Sequence, residues 1–164
     1  MEKLFVAIYD SPVGPLYPVV DARQRVHWLD STPPPEEWGC TPDWEACRTL
    51  IGELQEYFQG TRRAFSLQPV FAAGISPFRA AVWNHLSAIP YGTVESYGEV
   101  AKAIGSPGAA RAVGSAAAGN RILIIVPCHR VVPAIPNSLS GKGAGSYRLG
   151  STAKTYLLKL EGCF

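Results

Sequence analysis

The sequence predicts an α/β protein with a small N-terminal α/β domain, made of an antiparallel sheet plus a helix, followed by a mostly helical C-terminal domain that contains a helix-turn-helix. Two patterns predict this class. Apolar residues alternate with polar ones near the start of the chain, as in strands, whereas after residue 76 they recur at helical spacing. Residues 61–75, between the two patterns, have the composition of a linker with room for one short strand. We therefore predict domains at residues 1–75, including the linker, and 76–164.

The N-terminal domain is predicted to hold three strands and one helix. Pro18 places the second strand at an edge or at a bulge, because proline cannot donate to a strand ladder. Thr41 as N-cap and Pro42 at the first helical position predict the start of the helix, and Gly60 predicts its end. The strands are Lys3–Tyr9, Leu16–Val20 and Arg25–Leu29, with a turn over residues 10–15 and a proline-rich loop over residues 31–39.

The C-terminal domain is predicted to hold four helices. Ser76 caps the first helix and Pro90 ends it, while Ser96 and Glu99 form a capping box at the start of the second. In chain order the helices cover residues 76–89, 96–104, 109–119 and 151–161, and the remaining segments are a buried strand or extended run over 122–126 and a long Gly/Pro/Ser-rich loop over 133–150.

The composition supports folded domains and argues against a membrane span. Of the 164 residues, 47% are hydrophobic and only 17% are charged, which is not typical of a disordered chain. The longest apolar run, Ile122–Pro127, is far too short to cross a bilayer. An early acid, Glu2, and the lack of a long apolar stretch near the start do not fit a secretory signal. We expect a cytoplasmic protein, nucleoid-associated if bacterial, whose four cysteines are free thiols because they form no CxxC pair.

Charge is distributed unevenly along the chain. Residues 98–164 carry eight basic and two acidic side chains, whereas residues 1–97 carry seven basic and eleven acidic ones. A basic C-terminal part fits a polyanionic partner such as nucleic acid. The alternative is a solvated surface with chance clustering.

The second helix of the predicted helix-turn-helix consists almost wholly of small residues. It holds a single long side chain, Arg111, among alanine, glycine and serine. Such a helix has few side chains that reach base edges in a major groove, but it suits a minor groove that one arginine enters. The alternative is an internal helix whose small residues serve helix–helix packing.

Cys128 and His129 follow an apolar run that stops at a proline. A cysteine thiolate is a nucleophile, a histidine can take its proton, and an acid such as Glu161 can orient the histidine. Neighbours in an extended chain point to opposite sides, so the pair needs either a bridging water or a bent backbone. The alternative is a structural cysteine beside a hydrogen-bonded histidine. We predict no metal site, because the cysteines and histidines lack ligand spacing.

Several strings together resemble one family, the O6-alkylguanine-DNA alkyltransferases. The resemblance covers about residues 76–162, and an Asn eight residues and an Arg seventeen residues before the Cys of Pro-Cys-His-Arg make it specific. The matching strings are Ile89-Pro90-Tyr91-Gly92, Ser96-Tyr97-Gly98, Arg111-Ala112-Val113-Gly114, Asn120, Pro127-Cys128-His129-Arg130-Val131-Val132, Leu157-Leu158 and Glu161-Gly162. A weaker similarity to the family's first hairpin lies at residues 11–16.

The resemblance implies roles for five catalytic residues. Cys128 would accept the alkyl group from guanine O6, and His129 would take the thiol proton through a water. Glu161 would hold His129 in the required tautomer. Asn120 would bridge the turn before the nucleophile, and Tyr97 would donate its hydroxyl near the base. Because a thioether is a poor leaving group, one transfer would inactivate each molecule.

The resemblance also implies a base pocket and a DNA-binding face. Carbonyls of Cys128 and Val131 would recognise the exocyclic amine, and Tyr147 and Arg148 would lie in the pocket wall. A small residue is usual at Arg148, which would narrow the pocket, contact DNA or point into solvent. Arg111 would fill the stack after the nucleotide is rotated out. Minor-groove and phosphate contacts would come from Ala109, Ala110, Gly114 and Ser96.

The function expected from the sequence is direct, stoichiometric repair of O6-alkylguanine in double-stranded DNA by a monomer without cofactor or metal. One alternative is a sensor that binds alkylated DNA without repairing it, with its pocket closed by the altered loop. Another is an unrelated cysteine hydrolase, which would need an oxyanion hole. Three outcomes separate these functions. Repair predicts transfer of a label to Cys128, the sensor predicts persistent binding without transfer, and the hydrolase predicts acylation by simple esters.

Overall fold

A computed structural model describes residues 2–134 and 144–164 of the chain. The chain divides into two compact units. The first comprises residues 1–72 with the short strip 121–123, and the second comprises residues 73–120 and 124–164. The strip belongs to the first unit although the sequence-based boundary placed it in the C-terminal domain.

The first unit is built on a five-stranded sheet that is mostly antiparallel. The long strand β3 pairs with β1, with β2 and with β4, and a register shift between Val19 and Val20 marks a bulge in its pairing with β4. The bulge lies next to Pro18, as the sequence predicted. The strands are β1 Leu4–Val6, β2 Tyr9–Ser11, β3 Gly14–Asp21, β4 Val26–Asp30 and β5 Thr41–Pro42.

The predicted start of the first helix at Thr41 is wrong. Thr41–Pro42 forms β5, which pairs in parallel with β1, and the Asp43 N–H donates to the Val6 carbonyl at 2.9 Å. The edge of strand β1 has backbone groups free to pair with a neighbouring segment. Pairing with β1 therefore decides the conformation of Thr41–Pro42, although Thr and Pro in this order are locally typical of a helix start. Helix α1 begins later and spans Arg48–Phe58. Its buried side chains are Leu50, Ile51, Glu53, Leu54 and Tyr57.

Four helices form most of the second unit, as predicted. The Ser76 hydroxyl accepts from the Arg79 N–H at 3.2 Å, and Ser96 and Glu99 form a reciprocal capping box. Two short parallel strands, β6 Glu95–Ser96 and β7 Val131–Val132, pair within this unit. The helices are α2 Pro77–Ser87, α3 Tyr97–Ala103, α4 Ala110–Ala118 and α5 Ser151–Leu160.

Residues 122–126 are mostly buried, as predicted, but they do not form the predicted strand or extended run: Ile122 forms an isolated bridge with Leu29, and residues 123–125 turn. The Leu29 N–H donates to the Arg121 carbonyl at 2.8 Å and the Leu123 N–H donates back to Leu29 at 2.9 Å. This strip pairs for only that short distance, because the next residue, Ile124, has a φ of 72°. A left-handed conformation is costly for a β-branched residue, and it turns the chain toward Cys128.

Part of the predicted loop over residues 133–150 lies outside the described residues. No helix within the described ranges is both long and apolar enough to cross a membrane.

Candidate active site

A tight turn, rather than an extended strand, carries the cysteine and histidine. Cys128–Arg130 forms one turn of 3-10 helix immediately after Pro127. The Cys128 N–H donates to the Val126 carbonyl at 2.8 Å, and the Arg130 N–H donates to the Pro127 carbonyl at 2.9 Å. The backbone is therefore bent at the pair, which is one of the two arrangements that the sequence left open.

Asn120 links the turn before Cys128 to the sulfur of that cysteine. This side chain is buried, and its amide Nδ2 donates to the Val126 carbonyl at 2.8 Å and to the Cys128 sulfur at 3.3 Å. A donor aimed at the sulfur favours the thiolate over the thiol. Asn120 thus both bridges the turn, as expected from the resemblance, and contacts the reactive atom.

His129 and Glu161 form a buried pair. Nε2 of His129 lies 2.7 Å from Oε2 of Glu161, and both side chains are fully enclosed. Burial lowers the pKa of His129 more than the hydrogen bond to Glu161 raises it, so the imidazole is neutral at pH 7. In the neutral ring Nε2 donates to Glu161, which leaves Nδ1 as the acceptor. Nδ1 is buried and has no partner among the described residues.

Arg130 anchors the same carboxylate and was not singled out from the sequence. Its Nε donates to Oε1 of Glu161 at 2.8 Å, its Nη2 donates to Oε2 at 3.1 Å, and its Nη1 donates to the Ile89 carbonyl at 2.7 Å. Burial alone would raise the pKa of Glu161, but hydrogen bonds from His129 and Arg130 hold it well below its usual range. Glu161 is therefore ionised at neutral pH.

A glycine lets the chain approach this carboxylate. Gly92 has a φ of 79°, and a Cβ at that position would lie 3.1 Å from the Glu161 carbonyl. The Gly92 N–H donates to Oε1 of Glu161 at 3.4 Å. Gly92, in the Pro90-Tyr91-Gly92 string that resembles the family, thus contacts Glu161, the residue directly after α5.

A cavity of about 240 Å³ opens onto the cysteine. Residues at which the sequence predicted a function converge there, and the lining is Tyr97, Gly114, Ala117, Ala118, Cys128, Ser146, Tyr147 and Arg148. Burial and the charge of Cys128 raise the pKa of Tyr97, so its hydroxyl remains a donor at neutral pH. Val131 does not line the cavity. It is fully buried in β7.

A larger apolar cavity of about 710 Å³ lies in the first unit. Among its lining residues are the prolines of the 31–39 loop, Cys40 and the half-exposed Trp44. Burial raises the pKa of the Cys40 thiol, which makes it a weak nucleophile. None of the predicted catalytic residues lines this cavity.

Helix α4 has one packed face and one open face. Val113, Ala116 and Ala117 are buried, and Nε1 of Trp83 donates to the Ala116 carbonyl at 2.8 Å. Arg111 is exposed at the opposite side. The packing interpretation of the small-residue helix is therefore confirmed for one face, and the minor-groove interpretation of the open face stays a prediction.

The remaining predicted DNA contacts lie on α4, directly before it, and at the N-cap of α3. Ala109, Ala110 and Gly114 are partly exposed. The Ser96 oxygen accepts from the Glu99 N–H at 3.0 Å, so the hydroxyl hydrogen alone is left for an outside acceptor.

One cluster of potential metal ligands occurs among the described residues, in the first unit. Glu2, Asp21 and His27 place ligand atoms within 4.8 Å of one another. However, the Arg25 guanidinium donates to both carboxylates, with Nε 2.8 Å from Oδ2 of Asp21. One arginine thus already partners both carboxylates of the cluster. No spacing in the sequence indicated this group, because its members come from separate segments of the chain.

Comparisons with known proteins agree with the site. Residues 77–163 match the family model described as 6-O-methylguanine DNA methyltransferase, DNA binding domain. The methylated-DNA–protein-cysteine methyltransferase of Methanosarcina acetivorans is 39% identical, over 97% of this chain and 99% of that protein. The one of Mycobacterium leprae is 40% identical, over 93% and 88%.

Solved structures give the same result. The crystal structure of Mycobacterium tuberculosis O6-methylguanine methyltransferase has a TM-score of 0.81 at 38% identity, over 97% of this chain and 93% of that one. Mycobacterium tuberculosis OGT in complex with DNA has a TM-score of 0.83 at 37% identity, over 96% and 92%. The chain therefore belongs to the 6-O-methylguanine DNA methyltransferase family, the methylated-DNA–protein-cysteine methyltransferases.

Proposed function

We propose that the protein repairs O6-alkylguanine in double-stranded DNA by moving the alkyl group to Cys128, once per molecule. The observation that carries this proposal is the cavity of about 240 Å³, which joins the cysteine to Tyr97 and to the wall at residues 146–148. Alkyl transfer needs a thiolate, a base for its proton and a donor for the departing guanine. Cys128 and Tyr97 line the cavity, and His129 follows Cys128 in the same turn.

The proton of the thiol leaves through His129. Its Nε2 is engaged by Glu161, so the basic nitrogen is Nδ1, which accepts the Cys128 proton through a water. The imidazolium that forms is stabilised by the ionised Glu161. The Asn120 amide, 3.3 Å from the sulfur, stabilises the thiolate until it attacks the alkyl carbon.

The guanine departs as a neutral base. Sulfur forms a bond to the alkyl carbon as the bond from that carbon to O6 breaks, and the electron pair of the broken bond stays on the guanine. The Tyr97 hydroxyl gives the guanine a proton, and the proton that left Cys128 through His129 restores the tyrosine by way of water. The carbonyl of Cys128, which lines the cavity, accepts the exocyclic amine. It already accepts one hydrogen bond from the Val131 N–H and retains a second lone pair. The Val131 carbonyl accepts from Lys154 and Val131 does not line the cavity, so its contact with the amine stays a prediction from the resemblance.

Helix α4 presents the site to DNA. The smooth open face enters the minor groove, Ser96 contacts a phosphate, and Arg111 occupies the space left when the damaged nucleotide rotates into the cavity. Ala109, Ala110 and Gly114 allow the close approach. The protein acts as a monomer, because one chain supplies every group that the reaction uses.

Label transfer from a duplex carrying O6-methylguanine with a radioactive methyl group tests the proposal. Wild-type protein is expected to become labelled, and Cys128→Ser is expected to take no label while still retaining the duplex in a binding assay. Cys40→Ser is the matched control and is expected to behave as wild type. Label on Cys128→Ser would refute the assignment, and duplex retention by unlabelled wild-type protein would favour the non-repairing sensor.

A further inference from the structure

Arg148 is the only basic residue among the described residues that line the cavity of about 240 Å³. The rest of this lining consists of small residues, two tyrosines and Cys128, without an aspartate or a glutamate. Arg148 is exposed, whereas its neighbour Tyr147 is partly buried. The resemblance leads us to expect a small, uncharged residue at this position. The positive charge therefore distinguishes this alkyl pocket from the one that the resemblance implies.

A closed turn fixes the backbone at Arg148. The Gly150 N–H donates to the Tyr147 carbonyl at 3.0 Å, so Arg148 is the second residue of a four-residue turn. Glycines at positive φ lie on both sides of the segment, Gly145 with a φ of 87° and Gly150 with a φ of 95°. The arginine side chain thus starts from a defined point in the cavity wall.

The other charges near the cavity do not cancel that of Arg148. The Glu161 carboxylate is fully enclosed and is already paired with an arginine. Lys154 adds a second positive charge behind the wall, where its Nζ donates to the Ser146 carbonyl at 3.1 Å. The pKa of Lys154 is lowered by burial to about 8, so this amine is mostly protonated at pH 7. An anion in the cavity therefore meets two positive charges, and the thiolate of Cys128 is the one negative charge that opposes it among the described lining residues.

A guanidinium recognises a carboxylate far better than an uncharged group. Its N–H donors form a planar fork that matches two carboxylate oxygens, and the attraction is stronger at a protein surface than in bulk water. A thiolate repels an alkyl group that carries a negative charge, and this repulsion slows attack. A cation in the cavity wall offsets the repulsion, whereas a neutral alkyl group gains nothing from it.

We propose that Arg148 lets the protein accept alkyl groups that carry a carboxylate and prefer them to uncharged groups of the same size. The inference rests on the proposed function, and its simplest substrate is O6-carboxymethylguanine. The Cys128 sulfur bonds to the CH₂ carbon as the bond from that carbon to O6 breaks. The electron pair stays on the guanine, which takes a proton from Tyr97. The carboxylate remains on the thioether and changes neither its bonds nor its charge.

The test compares two adducts of nearly equal size in the same duplex. One is O6-carboxymethylguanine, and the other is O6-carbamoylmethylguanine, in which an uncharged amide replaces the carboxylate. Both react at a CH₂ group next to a carbonyl carbon, so the ratio of their single-turnover rate constants reports the effect of charge. We expect this ratio, charged over uncharged, to exceed one in the wild type. A general loss of activity in a variant affects both rate constants and cancels in the ratio.

Three variants separate charge from shape. Arg148→Gln removes the charge, and its ratio is expected to fall about tenfold, the size expected for one hydrogen bond between charged groups. Arg148→Lys keeps the charge, and its ratio is expected to stay within about threefold of the wild type. Lys159→Gln removes a positive charge from an exposed position on α5 and is the matched control, for which an unchanged ratio is expected.

Three results would overturn the inference. An unchanged ratio in Arg148→Gln would mean that the arginine contacts the DNA backbone or solvent instead of the adduct. An equal fall in Arg148→Gln and Arg148→Lys would mean that the shape of the side chain matters and its charge does not. The third result is a wild type that transfers methyl groups but reacts with the charged adduct more slowly than with the amide, or not at all. Failure of the wild type to transfer even a methyl group would instead refute the proposed function.

Discussion

The two compact units each bury a carboxylate that accepts hydrogen bonds from one arginine and one histidine. In the first unit the carboxylate is Asp21, 2.8 Å from Nε of Arg25 and 2.8 Å from Nε2 of His27. Further bonds from the backbone N–H groups of Arg23 and Arg25 complete its shell. The cluster holds together the turn between β3 and β4.

In the second unit the carboxylate is Glu161, 2.8 Å from Nε of Arg130 and 2.7 Å from Nε2 of His129. The distances are thus nearly the same as in the first unit, although His27 and Nε of Arg25 bond one oxygen of Asp21 whereas Arg130 bonds both oxygens of Glu161. The difference lies at the other ring nitrogen of the histidine, Nδ1. Nδ1 of His129 is buried without a partner among the described residues, beside a turn whose cysteine opens onto a cavity.

A carboxylate, an arginine and a histidine are therefore not by themselves an active site. In the first unit they neutralise one another and stabilise a turn. In the second unit a similar cluster leaves Nδ1 of the histidine without a partner among the described residues, and in the proposed function this nitrogen accepts a proton. The nucleophile and the cavity decide which of the two clusters carries chemistry, and matched substitutions in the two units test that distinction.

The largest expected difference lies between the two histidines. His129→Asn removes the proton acceptor, and the single-turnover rate of transfer is expected to fall about a hundredfold, the usual contribution of a general base. His27→Asn is expected to leave the rate within about twofold, because nothing in its cluster reacts. Rapid-quench measurement of label transfer at pH 7 compares them, and equal losses would contradict the distinction.

A smaller difference is expected between two exposed arginines. Arg111→Ala is expected to lower transfer from duplex DNA about tenfold, because it removes one charged contact in the minor groove. Its reaction with free O6-benzylguanine should be unchanged, since the pocket is intact. Arg48→Ala removes an arginine that is 71% exposed in the first unit and should affect neither substrate. A loss with the free base as large as the loss with duplex would overturn the assigned role of Arg111.

The smallest expected effect concerns stability in acid. Hydrogen bonds from His27 and Arg25, acting against burial, lower the pKa of Asp21 from 3.8 to about 2. The stabilisation of about 2 kcal/mol that this represents is full above pH 4 and is lost as pH falls toward 2, where folded Asp21 is protonated. In urea titrations at fixed pH, Asp21→Asn is expected to be less stable at pH 7 and to lose stability less steeply in acid. If the slope of the free energy of unfolding against pH is the same in Asp21→Asn as in the wild type, Asp21 is not the titrating group. The rate of label transfer of the variant is expected to equal that of the wild type at each pH.

The helices of the second unit were predictable because their signals are local. Ser76 and Ser96 cap helices in the structure as their sequence context indicated, and the capping box of Ser96 forms fully. The errors occurred where a distant segment decides the conformation. Thr41–Pro42 reads locally as a helix start but pairs with β1, and residues 122–126 read as a strand but turn at Ile124.

The site was predictable where the residue type itself is reactive, and not where a residue acts by holding another. Cys128, His129 and Tyr97 carry recognisable chemistry, and their strings resemble a known family. Arg130 is part of the Pro127-Cys128-His129-Arg130 string, but no role was predicted for it. Lys154 lies in a helical segment without any unusual pattern. Both matter through hydrogen bonds to Glu161 or to backbone carbonyls, which no sequence pattern reveals.

The central claim is that one alkyl group moves to one residue, after which the molecule is spent. Intact-mass spectrometry during titration with an O6-methylguanine duplex, followed by peptide mapping, tests it most directly. The account predicts a gain of a single methyl group that stops at one equivalent of duplex and maps to Cys128. Methylation that continues past one equivalent, or that maps to Cys40, Cys47 or Cys163, would contradict it.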